Sequence, residues 1–291
     1  MDITEGRIDI DGMGFAYLEA GSGPLALCLH GFPDSAWTWR HLLPRLAADG
    51  YRAVAPFLRG YAPTDVPDDG LYQPGAIARD ANALHAALGG QDDAVLIGHD
   101  WGALATYVAA AAAPERWRRV VAAAVPPQAA IAEAFFSYDQ LQRSWYMFFF
   151  QHGLADMVVG MDDLAFIDGL WADWSPGYEA TEDLAHVKDC LRDPANLTAA
   201  LGYYRATIGS GARSPELDAL EASAAAGPPP QPTLYLHGVD DGCMGIDLAD
   251  RAASLLTSNG SRMERVDGTG HFLHLEAPDR VNDLIADFLA A

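Results

Sequence analysis

Short apolar segments that alternate with helical segments constrain the fold of this chain more than any other feature. Four segments are apolar throughout and bounded by glycine, proline or polar residues, as is typical of buried strands: Leu25–Leu29, Ala53–Ala55, Ala94–Ile97 and Val120–Val125. Apolar residues recur at helical spacing between and after them, over Trp37–Asp49, Ile77–Leu88 and Ala103–Ala113. This alternation predicts an α/β fold with a mostly parallel sheet and helices on both faces.

The alternation stops at Pro126-Pro127 and resumes a hundred residues later. Between residues 128 and 220 the sequence has helical patterns and many aromatic residues, but no clear strand. After a proline-rich segment at 226–232, the predicted elements are strands at Thr233–His237 and Met263–Val266 and helices at Ile246–Leu256 and Pro278–Leu289. We therefore predict a core of residues 1–127 and 221–291 with a helical cap, residues 128–220.

Composition and charge narrow the classes of partner and location. Half of the 291 residues are hydrophobic, which suits a chain with a sizeable buried core. The net charge of −22 repels phosphate backbones and anionic lipid, so we expect no nucleic acid and no membrane as partner. The chain has three cysteines but no Cys-x-x-Cys pair, and its first residues show no signal segment. These features predict a cytoplasmic protein.

The segment Gly98-His99-Asp100-Trp101-Gly102 follows a predicted strand and precedes an alanine-rich helix. Two glycines around a central residue permit a tight strand-to-helix turn that exposes the central side chain. That residue is Asp100, which is ionised at neutral pH because the ordinary pKa of an aspartate is about 3.9. A carboxylate needs no base to attack an sp³ carbon and form an ester. Asp100 is therefore the candidate nucleophile.

Two backbone amides are candidates for stabilising a developing oxyanion. The segment His30-Gly31-Phe32-Pro33 directly follows the first predicted strand. In a strand-turn-helix elbow, the loop after this strand supplies one N–H donor and the residue after the nucleophile supplies the other. The predicted donors are the backbone amides of Phe32 and Trp101.

A candidate base and its acidic partner follow in the second part of the core. His271 lies in a glycine-rich turn after the last predicted strand, where a base can reach the nucleophile; His274 is the weaker alternative. Asp241 lies in the turn after Thr233–His237, 30 residues before His271, in the chain order nucleophile, acid, histidine. Its neighbour Asp240 is the alternative acid.

Sequence motifs for cofactors and metals are not recognisable in this chain. The glycines at 21–23 precede a strand instead of following one, and there is no phosphate-loop or His-Glu-x-x-His pattern. His271 and His274 lack a third ligand at a sensible spacing. We predict no cofactor and no metal.

With these pieces in place, the chain resembles the α/β-hydrolase fold family and, within it, the epoxide hydrolases, with a cap inserted after the sixth strand. The segments that carry the resemblance are His30–Ser35, Leu58–Tyr61, Gly98–Gly102, Ser144–Gln151 and Gly202–Ala206. Epoxide hydrolases have two cap tyrosines whose hydroxyls bind the epoxide oxygen, and the resemblance assigns this role to Tyr146 and Tyr204. Tyr203 competes with Tyr204, because adjacent helical residues face different ways.

The resemblance implies an enzyme that converts an apolar epoxide to a vicinal diol through an ester on Asp100. The implied partners are the epoxide and water, and the oligomeric state is left open, with a homodimer as one possibility. Two other functions stay open at this point. One is a haloalkane dehalogenase, which shares the aspartate elbow, and the other is a ligand-binding protein without catalysis on the same fold.

Overall fold

The structure is a computed structural model that describes residues 2–225 and 227–291 of the chain. Eight strands form one sheet in the order β1-β2-β4-β3-β5-β6-β7-β8. Their bounds are β1 Thr4–Ile10, β2 Met13–Gly21, β3 Leu25–Leu29, β4 Arg52–Pro56, β5 Val95–His99, β6 Arg119–Ala123, β7 Thr233–Gly238 and β8 Arg262–Val266. The strands from β4 to β8 across the sheet are parallel, and β2 pairs antiparallel with both β1 and β4. The predicted mostly parallel α/β architecture is confirmed.

The first two strands were not predicted from the sequence. They form an antiparallel hairpin at one edge of the sheet, and β1 is largely exposed, so it lacks an apolar run. Its turn is Asp11-Gly12, and both residues have positive φ, of 54° and 84°. An Asp-Gly pair between two strands is typical of a β-hairpin, so this turn is the sequence feature that indicates β1 and β2.

Helices cover both faces of the sheet. Those of the core are α1 Leu42–Ala48, α2 Pro74–Ala87 and α3 Trp101–Ala112 before the insertion, and α12 Ile246–Leu255, α13 Leu273–Glu276 and α14 Pro278–Ala290 after it. The predicted helix at 37–49 is wrong in its first half, which is a short 3₁₀ turn at Ala36–Trp39. Pro44 has no N–H to donate to the carbonyl of Arg40, so one continuous helix cannot form there.

The chain between β6 and β7 is helical, as predicted. Its helices are α4 Gln128–Ala134, α5 Tyr138–Arg143, α6 Trp145–Phe149, α7 Ala155–Val159, α8 Ala165–Trp174, α9 Thr181–Leu191, α10 Pro194–Ile208 and α11 Pro215–Ala225. Helix α11 packs against α2 and α3 of the core, so the predicted boundary at residue 220 falls inside a helix that contacts the core. Ala226, the first residue of the predicted linker, lies outside the described residues.

No helix among the described residues combines the length and the apolar character that crossing a bilayer requires.

The carboxyl ends of β3, β5, β7 and β8 lie close together in the sheet, in which β3 neighbours β5, β7 neighbours β8, and β6 lies between β5 and β7. Loops that leave these strand ends therefore meet at one edge of the sheet, where ligands of open α/β sheets bind.

Candidate active site

Asp100 occupies a sharp turn between β5 and α3. Its backbone has φ 54° and ψ −117°, a conformation that is costly for a residue with a side chain. The flanking glycines permit it, because a Cβ on Gly98 would lie 2.3 Å from the carbonyl oxygen of Gly102, and one on Gly102 would lie 2.2 Å from that of Leu29. The turn thus directs the carboxylate away from the sheet, toward the loops at the strand ends.

His271 lies between two carboxylates. Its Nδ1 is 3.0 Å from Oδ2 of Asp241, and its Nε2 is 3.6 Å from Oδ2 of Asp100. Nε2 is buried and has no hydrogen-bond partner in the part of the chain that the structure describes. The imidazole therefore has one nitrogen held by an acid and the other directed at the elbow.

The geometry distinguishes between the alternative acids and bases. Asp241 is buried, and its Oδ1 accepts hydrogen bonds from the backbone N–H groups of Cys243 and Met244 at 2.7 and 2.8 Å. Asp240 is exposed. Nε2 of His274 is hydrogen-bonded to Oγ1 of Thr38, at 2.5 Å. The structure thus brings Asp241 and His271, rather than their alternatives, to Asp100.

The loop after β3 contacts the carboxylate of Asp100 through its backbone. Phe32 donates its N–H to Oδ1 of Asp100 at 2.8 Å. Gly31 allows this approach, since a Cβ there would lie 2.3 Å from the same oxygen. Trp101 is the first residue of α3, so its N–H has no acceptor within the helix. Oδ1 is therefore the oxygen at the predicted oxyanion position, and Oδ2 is the one left for attack.

Tyr146 on α6 and Tyr204 on α10 lie over this turn. Both are buried and their rings are 5.5 Å apart, edge to face. The Tyr204 ring also packs edge-on at 5.0 Å from Trp101 and 5.1 Å from Phe32. Its hydroxyl has no hydrogen-bond partner among residues 2–225 and 227–291. Tyr203, by contrast, donates its hydroxyl to the backbone carbonyl of Arg59 at 2.8 Å, so it points away from the carboxylate.

Burial and charge set the protonation of these groups. Burial acts to lower the pKa of His271, but the carboxylates of Asp241 and Asp100 outweigh it and raise that pKa to about 10. Burial acts to raise the pKa of Asp100, but the positive charge of the adjacent His271 lowers it overall. Burial raises the pKa of both Tyr146 and Tyr204 well above the usual value. In the resting site Asp100 is therefore an anion, His271 a cation, and both phenols are donors.

Two contributors to the site were not recognised from the sequence. The carbonyl oxygen of Trp174, the last residue of α8, accepts the N–H of both Gly242 and His271 at 3.0 Å, so the insertion helps to hold the acid and base loops. The thiol of Cys243 lies 3.4 Å from the hydroxyl of Tyr146. No sequence pattern predicts the contact of Trp174. The position of Cys243, two residues after the predicted acid, does indicate that it lies near the site.

Within the described part of the chain, two groups of side chains have ligand-type atoms close enough to be considered for a metal. They are Asp241, Cys243 and His271, and Asp34, His99 and His274; in each group the atoms lie within 4.8 Å of one another. In the first group, both oxygens of Asp241 already accept hydrogen bonds. The second group is not part of the predicted site.

Known proteins resemble this chain over nearly its whole length. The family model described as alpha/beta hydrolase fold matches residues 24–278. Epoxide hydrolase A of Mycobacterium tuberculosis is 30% identical, over 98% of this chain and 97% of that protein, and epoxide hydrolase 1 of Caenorhabditis elegans is 29% identical, over 94% and 67%. Among solved structures, epoxide hydrolase A from Mycobacterium thermoresistibile is 26% identical with a TM-score of 0.82, covering 100% of this chain and 99% of that one.

Proposed function

The chain belongs to the alpha/beta hydrolase fold family, and from this premise we propose that it is an epoxide hydrolase, an enzyme that adds water to an apolar epoxide to give a vicinal diol. The observation that carries the proposal is the arrangement around Asp100. A buried carboxylate at the elbow lies under two buried tyrosines and within 3.6 Å of an imidazole. Full-length similarity to an epoxide hydrolase supports the same reaction.

In the first step, Oδ2 of Asp100 attacks the less hindered carbon of the epoxide. The new carbon–oxygen bond makes an ester, and the ring bond breaks so that the ring oxygen becomes an alkoxide. Tyr146 and Tyr204 donate hydrogen bonds to this oxygen and protonate it. Donors aimed at developing charge in a buried site contribute roughly 10²–10⁴-fold in rate.

In the second step, His271 removes a proton from water, and the resulting hydroxide attacks the ester carbonyl carbon. The resting cation must first lose its own proton, and ester formation makes this favourable. Alkylation removes the negative charge on Asp100, one of the two charges that raise the pKa of His271. His271 can then give its proton to the tyrosine that protonated the alkoxide. The neutral imidazole acts as the base, while Asp241 holds its Nδ1.

The tetrahedral intermediate carries its negative charge on Oδ1 of Asp100. The backbone N–H of Phe32 is already bonded to this oxygen at 2.8 Å, and Trp101 is proposed as the second donor. Collapse breaks the bond between the carbonyl carbon and the substrate oxygen, which takes the proton of the newly added hydroxyl group and leaves as the diol. Asp100 is again a carboxylate, with one oxygen from water, and His271 keeps the proton it took from water, which completes the cycle.

A haloalkane dehalogenase remains the alternative enzyme, because it uses the same kind of nucleophile. A departing halide needs N–H donors around it, and the indole nitrogen of Trp101 is buried without a hydrogen-bond partner in the described part of the chain. Phe32, however, has no amide side chain to act as a second donor. Two phenol hydroxyls over the carboxylate suit an alkoxide better, so the geometry favours the epoxide.

Parallel assays test this proposal directly. We expect the purified protein to convert styrene oxide to its diol and to release no halide from a panel of small haloalkanes. Asp100→Asn should lose the activity, because an amide is a far weaker nucleophile than a carboxylate. Halide release without diol formation would support the dehalogenase instead, and binding of epoxides without turnover would support a non-catalytic binder.

The remaining predictions about organisation are proposals too. We propose that the segment at 128–220 acts as a cap, since it contributes Tyr146, Tyr204 and the Trp174 carbonyl to the site. The three cysteines are buried free thiols, which supports the cytoplasm as the location. A homodimer stays a prediction.

A further inference from the structure

A second group of buried polar side chains lies beside the main chain of His271. It consists of Asp34, His99 and His274, each less than a tenth exposed. The ring of His99 lies 4.7 Å from that of His271 and 4.6 Å from that of His274, centroid to centroid. The reaction proposed above assigns none of the three a task, although His99 directly precedes the nucleophile.

The hydrogen bonds of His99 determine which of its nitrogens carries the proton. Nε2 of His99 lies 2.9 Å from the backbone carbonyl oxygen of His271. A carbonyl oxygen accepts and never donates, so Nε2 carries the proton and Nδ1 of the neutral ring is unprotonated. A second cation beside His271 is unfavourable; burial and the charge of His271 lower the pKa of His99 to about 3. His99 is therefore neutral.

Asp34 faces the unprotonated nitrogen of His99. Its Oδ2 is 3.8 Å from Nδ1 of His99, and neither atom has a hydrogen-bond partner in the described ranges. Two unprotonated acceptor atoms that face each other in a buried site repel. In those ranges, no arginine or lysine forms an ion pair with Asp34. Burial raises the pKa of Asp34 well above its usual value. A protonated carboxyl would remove this repulsion, because a hydrogen on Oδ2 can face Nδ1.

We propose that His99 is a positioning residue for His271: its Nε2–H holds the backbone carbonyl of His271, and a neutral carboxyl at Asp34, which faces Nδ1 of His99, favours the tautomer that can do so. His271 is then fixed at three points. Asp241 holds its side chain, Trp174 accepts its N–H, and His99 donates to its carbonyl. The inference rests on the proposed function, because it matters only if His271 is the base.

A neutral Asp34 also protects the basicity that the second step requires. The site already contains two carboxylates that raise the pKa of His271. A third ionised carboxylate nearby would hold the proton on His271 more tightly and delay its release after ring opening. Keeping Asp34 uncharged avoids this.

The test separates ring opening from ester hydrolysis in His99 variants. His99→Leu removes the donor, and we expect the ester of styrene oxide to hydrolyse at least roughly tenfold more slowly, because small displacements of a catalytic group can cost about 10²-fold. The rate of ester formation should change little. His99→Gln, whose amide can replace the Nε2–H donor, should recover most of the rate. Rapid quenching followed by intact-protein mass measurement gives both rates.

His85→Leu is the matched control, because Nε2 of His85 also contacts a backbone carbonyl, that of Gln91, at 3.0 Å. It should leave both rates near those of the wild type. If His99→Leu does not fold, His99→Asn takes its place, since the shorter amide does not reach the carbonyl; we expect it to be slower than His99→Gln. Asp34→Asn should keep the rate within about threefold, as one neutral group replaces another.

Three results would overturn this inference. The first is ester hydrolysis at the wild-type rate in His99→Leu, or at equal rates in His99→Gln and His99→Asn. The second is a loss in Asp34→Asn as large as that in His99→Leu. The third is stoichiometric zinc in the isolated protein that disappears in Asp34→Asn, since the group would then bind a metal. A wild-type protein that forms no diol would instead refute the proposed function.

Discussion

His271→Gln is expected to stop the reaction after ring opening, with the ester on Asp100 as the accumulating species. Glutamine cannot take a proton from water, while the nucleophile, its Phe32 hydrogen bond and both tyrosines remain. General-base removal costs roughly 10²–10⁴ in rate, so steady-state diol formation should fall to that extent. On intact protein, the mass should increase by that of one epoxide molecule and should persist for many wild-type turnover times.

His152→Gln is the control for this variant, because His152 is an exposed residue of the insertion. It should hydrolyse the epoxide at the wild-type rate and show no lasting adduct. His271→Gln that forms diol as fast as the wild type would show that another group activates the water. A variant that binds the epoxide but never gains mass would contradict the covalent route.

Removal of both phenol hydroxyls is expected to abolish ring opening. In Tyr146→Phe with Tyr204→Phe, Asp100 remains an anion, but nothing stabilises the alkoxide as the ring bond breaks. Each hydroxyl is directed into a buried site, where one well-placed donor contributes about 10²–10³. We expect each single variant to lose part of the activity and the double variant to lose essentially all of it. Single-turnover measurements should show that ester formation is the slowed step.

Tyr203→Phe distinguishes a catalytic hydroxyl from a structural one. It removes the hydroxyl next in sequence to that of Tyr204, which bonds to the Arg59 carbonyl instead of facing Asp100. This variant should be somewhat less stable and should keep most of the activity. If Tyr203→Phe lost more activity than Tyr204→Phe, the assignment on α10 would have to move by one residue. Circular dichroism of each variant checks that the fold is intact.

The parts of the fold that the sequence predicted best are those with a strong local signal. β3 and β5 are fully buried; β3 is apolar throughout and β5 is apolar over its first three residues, so the sequence predicts both with nearly the right bounds. β1 is half-exposed at the sheet edge, so its apolar residues alternate with polar ones and it was missed. The predicted helix after β3 is too long because Pro44 cannot donate a backbone N–H to the turn before it.

The residues of the candidate site are likewise predictable from the sequence only where local chain geometry determines their position. Asp100 and Phe32 are recognisable because a turn and a loop of fixed length hold them next to strands, so their meeting follows from local chain geometry. Asp241 and Asp240 are neighbours in the sequence, and the structure separates them: Asp241 is buried against His271, while Asp240 is exposed. The contact of the Trp174 carbonyl with the base depends on how a distant helix docks. Such a contact has no sequence period, so it could not be predicted.

The central claim, that a carboxylate oxygen of Asp100 becomes bonded to carbon, is tested most directly by one turnover in ¹⁸O-labelled water. With enzyme in excess over epoxide, the account predicts a diol without the label, because its new oxygen comes from Asp100, and label on that aspartate after the reaction. In later turnovers the label should enter the diol. Immediate appearance of ¹⁸O in the first diol formed would mean that water attacks the epoxide directly, and the account would be wrong.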